Sequence, residues 1–214
     1  MSAQEGDAQA VDVQPGATAR VTLTAKGSSH ITGRVVEYGS NLPVPGLACH
    51  ALMRSGAQIG VTNWSLEAAP KTDANGDLSI EQAPAGEVAV ECVGNPSTIS
   101  SATAMLVTKP GETATAALEV VRRRFAGVGG YVGLSFRSGV AGPLVHWVQR
   151  GGSAALAGVT AGELVLAIDG VSVQRLNPSG LDMLILNHVP GTFLTLTTVS
   201  GQKTVTRKLL CEAI

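Results

Sequence analysis

The heptapeptide Gly130-Tyr131-Val132-Gly133-Leu134-Ser135-Phe136 decides the fold of the C-terminal half of this 214-residue chain. In it, a glycine flanked by apolar residues precedes a segment in which apolar and polar side chains alternate. A period of two is typical of a strand that buries one face. Gly133 allows the backbone to turn just before that strand. The stretch therefore predicts a loop that leads directly into a half-buried strand.

The residues that follow predict further short elements separated by turns. Residues 152–159 contain a short helical turn, residues 162–168 form a strand, and Asp169-Gly170 makes a tight turn. Residues 179–188 form an amphipathic helical segment that ends before Pro190-Gly191. The last two predicted strands, residues 193–199 and 205–210, return on each other as a hairpin.

In this order, the motifs resemble those of the PDZ domain as it occurs in bacterial envelope proteases and secretion proteins. Those domains have a Tyr-Leu-Gly-Val-like loop, a Gly-Ser-Pro-Ala-like turn and an Ala-Gly-Asp-like strand entry. The corresponding segments here are Tyr131-Val132-Gly133-Leu134, Gly152-Ser153-Ala154-Ala155 and Ala161-Gly162-Glu163. The resemblance covers roughly residues 125–210, and it implies a partly open β-barrel with one or two short helices over residues 122–214.

The resemblance also implies a peptide-binding groove beside the heptapeptide. An extended peptide would add a strand to residues 134–137, and backbone N–H groups of the loop would hold its terminal carboxylate. Ser179 aligns with the first groove-facing position of the helix. The predicted peptide-binding residues are Tyr131, Val132, Gly133, Leu134, Ser135, Phe136, Ser179, Met183 and Leu186. The alternative is that the apolar members of this set are only core residues.

A basic run precedes the loop. Arg122, Arg123 and Arg124 are followed by a glycine-rich stretch, which is typical of a solvated junction between domains. In PDZ-like grooves a basic residue at this place can also support the ligand carboxylate. Both interpretations stay open, and under the second one of these arginines has that role.

The first half resembles a different family. It contains an Ile-x-Gly-x-Val strand at residues 31–35, a Pro-Val-Pro-Gly turn at residues 43–46, a Thr-Asp-x-x-Gly hairpin at residues 72–76, and a Pro-x-Gly strand at residues 84–92. These motifs are similar to those of the carboxypeptidase-regulatory, transthyretin-like β-sandwich. The family often has Tyr where Glu87 and Val88 stand, and residues 58–71 form a longer insertion than its pattern has. The resemblance implies a β-sandwich over residues 27–121.

Residues 1–26 are predicted to be tail strands of a preceding module or extra strands. The pattern of two strands joined by Pro15-Gly16 occurs again at residues 105–118 around Pro110-Gly111, which indicates an internal sequence repeat. The alternative is that two unrelated hairpins share a common type of turn. Because the chain opens within a strand pattern, we expect any targeting signal to lie upstream.

Composition limits the function classes. The chain has 15 Lys and Arg against 16 Asp and Glu, so its overall charge does not predict nucleic acid as a partner. Charged residues make up 14% and aromatic residues 3%, and Gly numbers 26, which favours strands and tight turns over long helices. No segment is apolar over the roughly 18 residues of a membrane span, so we expect none in this chain.

No catalytic or metal-binding motif is recognisable. Ser153 lacks a Gly-x-Ser-x-Gly context, and the four histidines are scattered without ligand spacing. Asp73 to Asp77 has side-chain oxygens at alternate positions, as in a calcium loop, but Pro84 stands where a bidentate Glu would be required. A turn at Asn75-Gly76 is favoured instead. We therefore expect no enzymatic activity, no cofactor and no metal.

The chain has three cysteines, which are too few for a disulfide scaffold. Cys49 and Cys92 each alternate in phase with the apolar residues of their strands, so both point to the sandwich core. The sequence is compatible with two alternatives: a disulfide between them in an oxidising compartment, or two buried free thiols. Cys211 lies beyond the last predicted strand and is expected to be free.

Together these features predict a non-catalytic binding module of a bacterial cell-envelope protein. It would capture the C-terminus or an exposed strand of a partner protein, in the periplasm, on the outer membrane or at the cell surface. The alternative is a structural spacer whose groove is occupied or non-functional. Because the segment from Arg122 to Gly130 is glycine-rich, the two halves are expected to unfold as separate cooperative units.

Overall fold

A computed structural model of the protein describes residues 27–55, 58–59, 69–124 and 127–213. The described residues form short strands and two α-helices, so the fold is mainly β, as predicted. The predictions for residues 1–26, including the first Pro-Gly strand pair, lie outside the described residues. Residues 60–68 of the predicted insertion lie outside them as well.

The first unit is a β-sandwich, called here the sandwich (residues 28–120). One sheet has the order β4-β1-β7 and the other β3-β2-β5-β6, and apolar side chains of both sheets share one core. Strands β1 and β7 are parallel, and the other paired neighbours are antiparallel. The strands are β1 Ser28–Glu37, β2 Ala48–Ser55, β3 Gln58–Ile59, β4 Asp77–Pro84, β5 Gly86–Val93, β6 Ala102–Thr108 and β7 Thr113–Val120. The relationship to the carboxypeptidase-regulatory family stays a prediction.

Two predicted turns differ in what they connect. Gly111, with φ of +74°, lies in the turn between β6 and β7, but these strands belong to different sheets and do not form a hairpin. Gly76, also at φ +74°, lies in the turn that enters β4. There Asp73 Oδ1 accepts hydrogen bonds from the N–H groups of Asn75 and Asp77, both at 2.8 Å. The Asp73 carboxylate therefore stabilises the turn by accepting backbone hydrogen bonds within it.

A disulfide joins Cys49 on β2 to Cys92 on β5. The two residues are direct cross-strand partners, with Cα atoms 4.0 Å apart, and both are fully buried in the sandwich core. The sequence left free thiols as the alternative, and here the register of two antiparallel strands places the sulfur atoms within bonding distance. Cys211 is a buried free thiol.

The second unit is called the C-terminal unit (residues 130–213). Its main sheet has the order β14-β13-β11-β10-β9, with β12 paired to β11, and β15 pairs separately with β8. This sheet is open, with β9 at one edge and β14 at the other. The elements are β8 Gly130–Tyr131, β9 Leu134–Gly139, β10 Gly142–Val148, α1 Ser153–Leu156, β11 Leu164–Ile168, β12 Val171–Ser172, α2 Pro178–Leu186, β13 Phe193–Ser200, β14 Lys203–Leu210 and β15 Glu212–Ala213.

Local chemistry explains where these elements begin and turn. Asn177 caps α2, because its Oδ1 accepts a hydrogen bond from Gly180 N at 2.9 Å, and Pro178 occupies the first helical position. Asp169 and Gly170 both have positive φ, +50° and +76°, which is the type I′ turn expected of an Asp-Gly pair. The positions of α2 and of the β11–β12 turn thus follow directly from the sequence.

The sandwich and the C-terminal unit are in contact. Val121 is 4% exposed and belongs to the core of the C-terminal unit, although the predicted boundary assigns it to the sandwich. Tyr38 packs against the same core, and its hydroxyl donates to Ser172 O at 2.8 Å. Burial, together with the nearby Glu119 carboxylate, raises the pKa of Tyr38. A cleft of about 310 Å³ lies beside this contact, away from the predicted groove.

No helix in the described part of the chain is long and apolar enough to cross a membrane.

Candidate functional site

The loop before β9 has its carbonyl groups fixed by neighbouring backbone. Val132 O accepts a hydrogen bond from Ala154 N at 3.0 Å, and Gly133 O accepts one from Gln149 N at 2.8 Å. In a trans peptide unit the C=O and the following N–H point in opposite directions. The N–H groups of Gly133 and Leu134 therefore point away from α1 and β10, towards the open side of the loop.

Gly133 makes this arrangement possible. Its φ is +74°, a region in which residues other than glycine are strained. A Cβ atom here would also lie 3.1 Å from the Cβ of Gln149. Successive N–H groups on one side of a turn form a concave site that binds an anion, such as a terminal carboxylate. The N–H groups of Gly133 and Leu134 lie in such an arrangement, and carboxylate binding by Val132, Gly133 and Leu134 stays a prediction.

Strand β9 follows the loop and has one unpaired edge. It pairs with β10 on one side, and on its other side no strand pairs with it among the described residues. Helix α2 contacts β9. The last described residues of the chain do not cover the edge, because Glu212 and Ala213 pair with β8 instead. An unpaired edge of this kind can accept an added strand.

The predicted apolar lining is largely buried. Leu134 is 6% exposed, Phe136 7% and Met183 3%, and all three belong to the core of the C-terminal unit. Leu186 is partly buried and lies outside that cluster. Its Cδ2 would be 2.8 Å from a Cβ atom on Gly129, so it packs against the segment that leads into the loop. Three of the four residues therefore act as core, and a ligand would contact only their edges.

Helix α2 is held at both ends by residues outside the C-terminal unit. At its beginning, Ser179 Oγ accepts a hydrogen bond from Ser101 N at 3.2 Å. Just past its end, Asn187 Nδ2 donates to Arg122 O and Asn187 Oδ1 accepts from Arg124 N, both at 2.9 Å. The structure thus places Ser179, the predicted groove position, against the sandwich. It also shows that the sandwich and the following segment position the helix.

The three arginines have different surroundings. Arg122 Nε lies 3.4 Å from Glu37 Oε2, so its side chain is directed to the sandwich. Arg123 Nη2 donates to Gly127 O at 2.8 Å. The side chain of Arg124 is exposed. Support of a carboxylate by an arginine of this run stays a prediction.

Both ring nitrogens of His188 have hydrogen-bond partners. His188 Nε2 is 2.7 Å from Asp169 Oδ2, and His188 Nδ1 is 2.9 Å from Leu184 O. Within residues 27–55, 58–59, 69–124 and 127–213 there is no group of three or more His, Cys, Asp and Glu that could hold a metal ion.

This geometry of loop, free-edged strand and helix can be compared with known domain families. Residues 144–196 match the family model of the PDZ domain. The match runs from β10 through α1, β11 and α2 into β13, so it contains the helix beside the groove. The chain thus contains a PDZ domain, preceded by the sandwich. The loop and β9 lie just before the matched residues.

Solved structures with similarity to the chain include bacterial proteases and a protein of another family. A serine endoprotease from Yersinia pestis is 18% identical, with a TM-score of 0.36, over 41% of this chain and 30% of that chain. The HtrA-type protease AlgW, solved with a decapeptide, is 16% identical with a TM-score of 0.37, over 60% of this chain and 50% of that chain. A DUF3823 family protein from Parabacteroides merdae is 12% identical with a TM-score of 0.31, over 89% of this chain and all of that chain. A search of curated proteins finds no match.

Sequence reasoning missed the residues that orient the PDZ loop. Gln149 and Ala154 act through backbone N–H groups, which carry no side-chain signal in the sequence.

Proposed function

We propose that the PDZ domain binds the C-terminal or extended segment of a partner protein by adding it as a strand to β9. The observation that carries this proposal is the orientation of the loop. Ala154 N donates a hydrogen bond to Val132 O, and Gln149 N donates one to Gly133 O. The N–H groups of Gly133 and Leu134 are thereby free to donate to a carboxylate. Charge-assisted hydrogen bonds of this kind contribute roughly 1.5–3 kcal/mol.

The wider context is part of the same proposal. The module is non-catalytic and belongs to a bacterial cell-envelope protein, located in the periplasm, on the outer membrane or at the cell surface. The sandwich is of the carboxypeptidase-regulatory, transthyretin-like type and serves as its spacer. Sequence motifs support this part of the proposal.

A second candidate is a structural module whose groove takes no ligand. The observation that favours it is the burial of Leu134, Phe136 and Met183 in the core, which leaves little free apolar surface for a ligand side chain. The two candidates differ in one measurable property, the binding of a peptide with a free C-terminus.

We expect peptides that end in Val, Leu, Ile or Phe to bind with a free carboxylate and to bind about ten- to a hundredfold more weakly when amidated. An NMR titration would follow the amide signals of Val132, Gly133 and Leu134. Equal binding of both peptide forms would indicate internal strand addition without carboxylate capture. Absence of a shift with any peptide would favour the structural module.

A matched pair of glycine variants tests the loop itself. Gly133→Ala should weaken peptide binding because it strains the residue that orients the N–H groups. Gly201→Ala, in the β13–β14 turn at φ +62°, imposes a similar strain far from the loop. Each variant should lose on the order of 1 kcal/mol of stability. Only Gly133→Ala should change the affinity, and equal effects on affinity would contradict the assignment.

A further inference from the structure

Residues 121–124 form a short extended segment that pairs with the sandwich on one side. Arg123 N donates a hydrogen bond to Thr98 O at 2.8 Å, and Ser100 N donates one to Val121 O at 2.9 Å. In an extended chain the backbone polar groups of successive residues point to opposite sides. The next polar groups along the segment therefore face away from the sandwich.

On that other side the side chain of Asn187 binds the segment. Asn187 Nδ2 donates to Arg122 O, and Asn187 Oδ1 accepts from Arg124 N, both at 2.9 Å. A primary amide has both donors and an acceptor, so this one group pairs with the segment as a peptide unit of a neighbouring strand would. Asn187 therefore joins the C-terminal end of α2 to a segment that is itself fixed to the sandwich.

Asn187 is also part of the helix end itself. It is the C-cap residue of α2, and its backbone N–H donates to Met183 O at 3.1 Å and to Leu184 O at 3.2 Å. Its backbone therefore belongs to the helix, while its side chain belongs to the bridge. Because these two parts of one residue are covalently joined, the bridge fixes the last turn of α2 relative to residues 122–124.

The same end of α2 packs against the segment that enters the loop. Gly129 and Gly130 are buried. A Cβ atom on Gly129 would lie 2.7 Å from Leu186 O, and one on Gly130 would lie 2.9 Å from His188 O. Because no Cβ atom would fit at either position, the backbone of this segment contacts the helix end directly. The segment continues into the loop at Gly133, so a displacement of the helix end also displaces the start of the loop.

We propose that Asn187 is a positioning residue for the carboxylate-binding loop, and that through it the sandwich sets the affinity of the PDZ domain for a terminal carboxylate. This inference rests on the proposed function and gives the sandwich a role beyond that of a spacer. Asn187 acts without contacting the ligand, because it holds the helix end against which Gly129 and Gly130 pack.

The effect should fall on carboxylate binding and not on strand addition. Hydrogen bonds weaken steeply when their length or angle departs from the optimum, so a small displacement of the loop reduces donation from the N–H groups of Gly133 and Leu134. Strand β9 keeps its position through its ladder with β10. Loss of the Asn187 bridge should therefore weaken binding of a peptide with a free C-terminus more than binding of its amidated form.

Two fluorescein-labelled peptides that end in Val, one with a free and one with an amidated C-terminus, would test the inference by fluorescence anisotropy on the full chain. The Kd of the amidated peptide should be about ten- to a hundredfold higher for the wild type. Asn187→Ala should reduce this ratio about threefold or more, because it removes both hydrogen bonds of the bridge. Asn187 has φ −79° and ψ −2°, so alanine adds no backbone strain. A merely structural role would lower the folded fraction and raise both Kd values by the same factor.

Asn187→Asp is a second variant that keeps the shape of the side chain. It places a carboxylate oxygen against Arg122 O and should reduce the ratio as well. Tyr38→Phe is the matched control, because it removes a hydrogen bond between the two units at β12 and not at α2, and it should leave the ratio unchanged. Thermal unfolding of each variant would show that the fold is retained.

The outcomes separate this inference from the proposed function. If the ratio in both Asn187 variants equals that of the wild type, or if Tyr38→Phe lowers it equally, the role of Asn187 is contradicted while the proposed function stands. If the wild type binds both peptides equally, the loop takes no carboxylate and the inference fails, while strand addition stands. If the wild type binds neither peptide, the proposed function fails and this inference fails with it.

Discussion

Glu163 and Arg207 form a buried ion pair that joins the start of β11 to β14. Glu163 is 4% exposed, and its Oε2 accepts from Arg207 Nη1 at 2.8 Å and from Thr198 Oγ1 at 2.6 Å. Burial alone would raise the pKa of Glu163, but hydrogen bonds from Thr198, Thr160 and Arg207, and the guanidinium charge, lower it below its ordinary value. Each polar group of the pair therefore has a partner inside the unit.

Arg207→Met should destabilise the protein by about 3 kcal/mol at neutral pH, because it leaves the Glu163 carboxylate buried without its counter-charge. The penalty should shrink below about pH 4.5, the ordinary pKa of Glu, as the carboxylate becomes protonated. Urea unfolding at pH 7 and pH 4 would measure both values. Arg150→Met, at an exposed turn position, is the control and should change stability by less than about 0.5 kcal/mol. A penalty independent of pH would contradict the electrostatic explanation.

At the scale of elements, β2 and β5 are the strands that the disulfide ties together. Their register places Ala51 opposite Val90 and Cys49 opposite Cys92, so the bond lies within a continuous antiparallel ladder. The strands are 43 residues apart in sequence at this point. Cross-linking them removes the entropy of a long loop from the unfolded chain.

Replacing both Cys49 and Cys92 by Ala should lower the free energy of unfolding by about 3–4 kcal/mol, the value that the chain-entropy model gives for a loop of this length. Guanidinium unfolding with and without reductant would measure it. Reductant should destabilise the wild-type protein by a similar amount and leave the double variant unchanged. If reductant has no effect on the wild type, the thiols are free in solution.

At the scale of the whole molecule, the sandwich and the PDZ domain share an interface. Tyr38 and Val121 contribute to the PDZ core, Arg175 Nη1 lies 3.4 Å from Glu119 Oε1, and Asn177 Nδ2 donates to Thr103 Oγ1 at 3.3 Å. The glycine-rich segment before the loop predicted independent unfolding. These contacts instead couple the position of α2 to the sandwich, so we now expect the two units to stabilise each other.

Tyr38→Ala should destabilise the PDZ domain by about 1–3 kcal/mol, because it removes a packed ring and the hydrogen bond to Ser172 O. Hydrogen exchange should become faster at the amides of β12 and α2. Leu42→Ala, an exposed apolar residue close by in sequence, is the control and should leave these amides unchanged. Unaltered exchange in the Tyr38 variant would restore the view of two independent units.

Local sequence determined the elements of this protein. The alternation at Leu134 to Phe136, the Asp169-Gly170 turn, and the Asn177-Pro178 start of α2 each encode their structure within a few residues, because strand period, turn type and helix capping depend on near neighbours. The same local patterns predicted the mainly β fold and the PDZ domain.

Which side of each helix and strand is exposed, and which is buried, depends on the tertiary structure alone. Met183 and Ser179 have the residue types of a groove lining, yet Met183 is buried in the core of the PDZ domain, and Ser179 is hydrogen-bonded to Ser101 of the sandwich, 78 positions away in sequence. The direction of the N–H groups at Gly133 and Leu134 likewise depends on Gln149 and Ala154, which act through the backbone. Docking of the sandwich onto α2 depends on the sum of many weak long-range contacts, none of which leaves a periodic signal in the sequence.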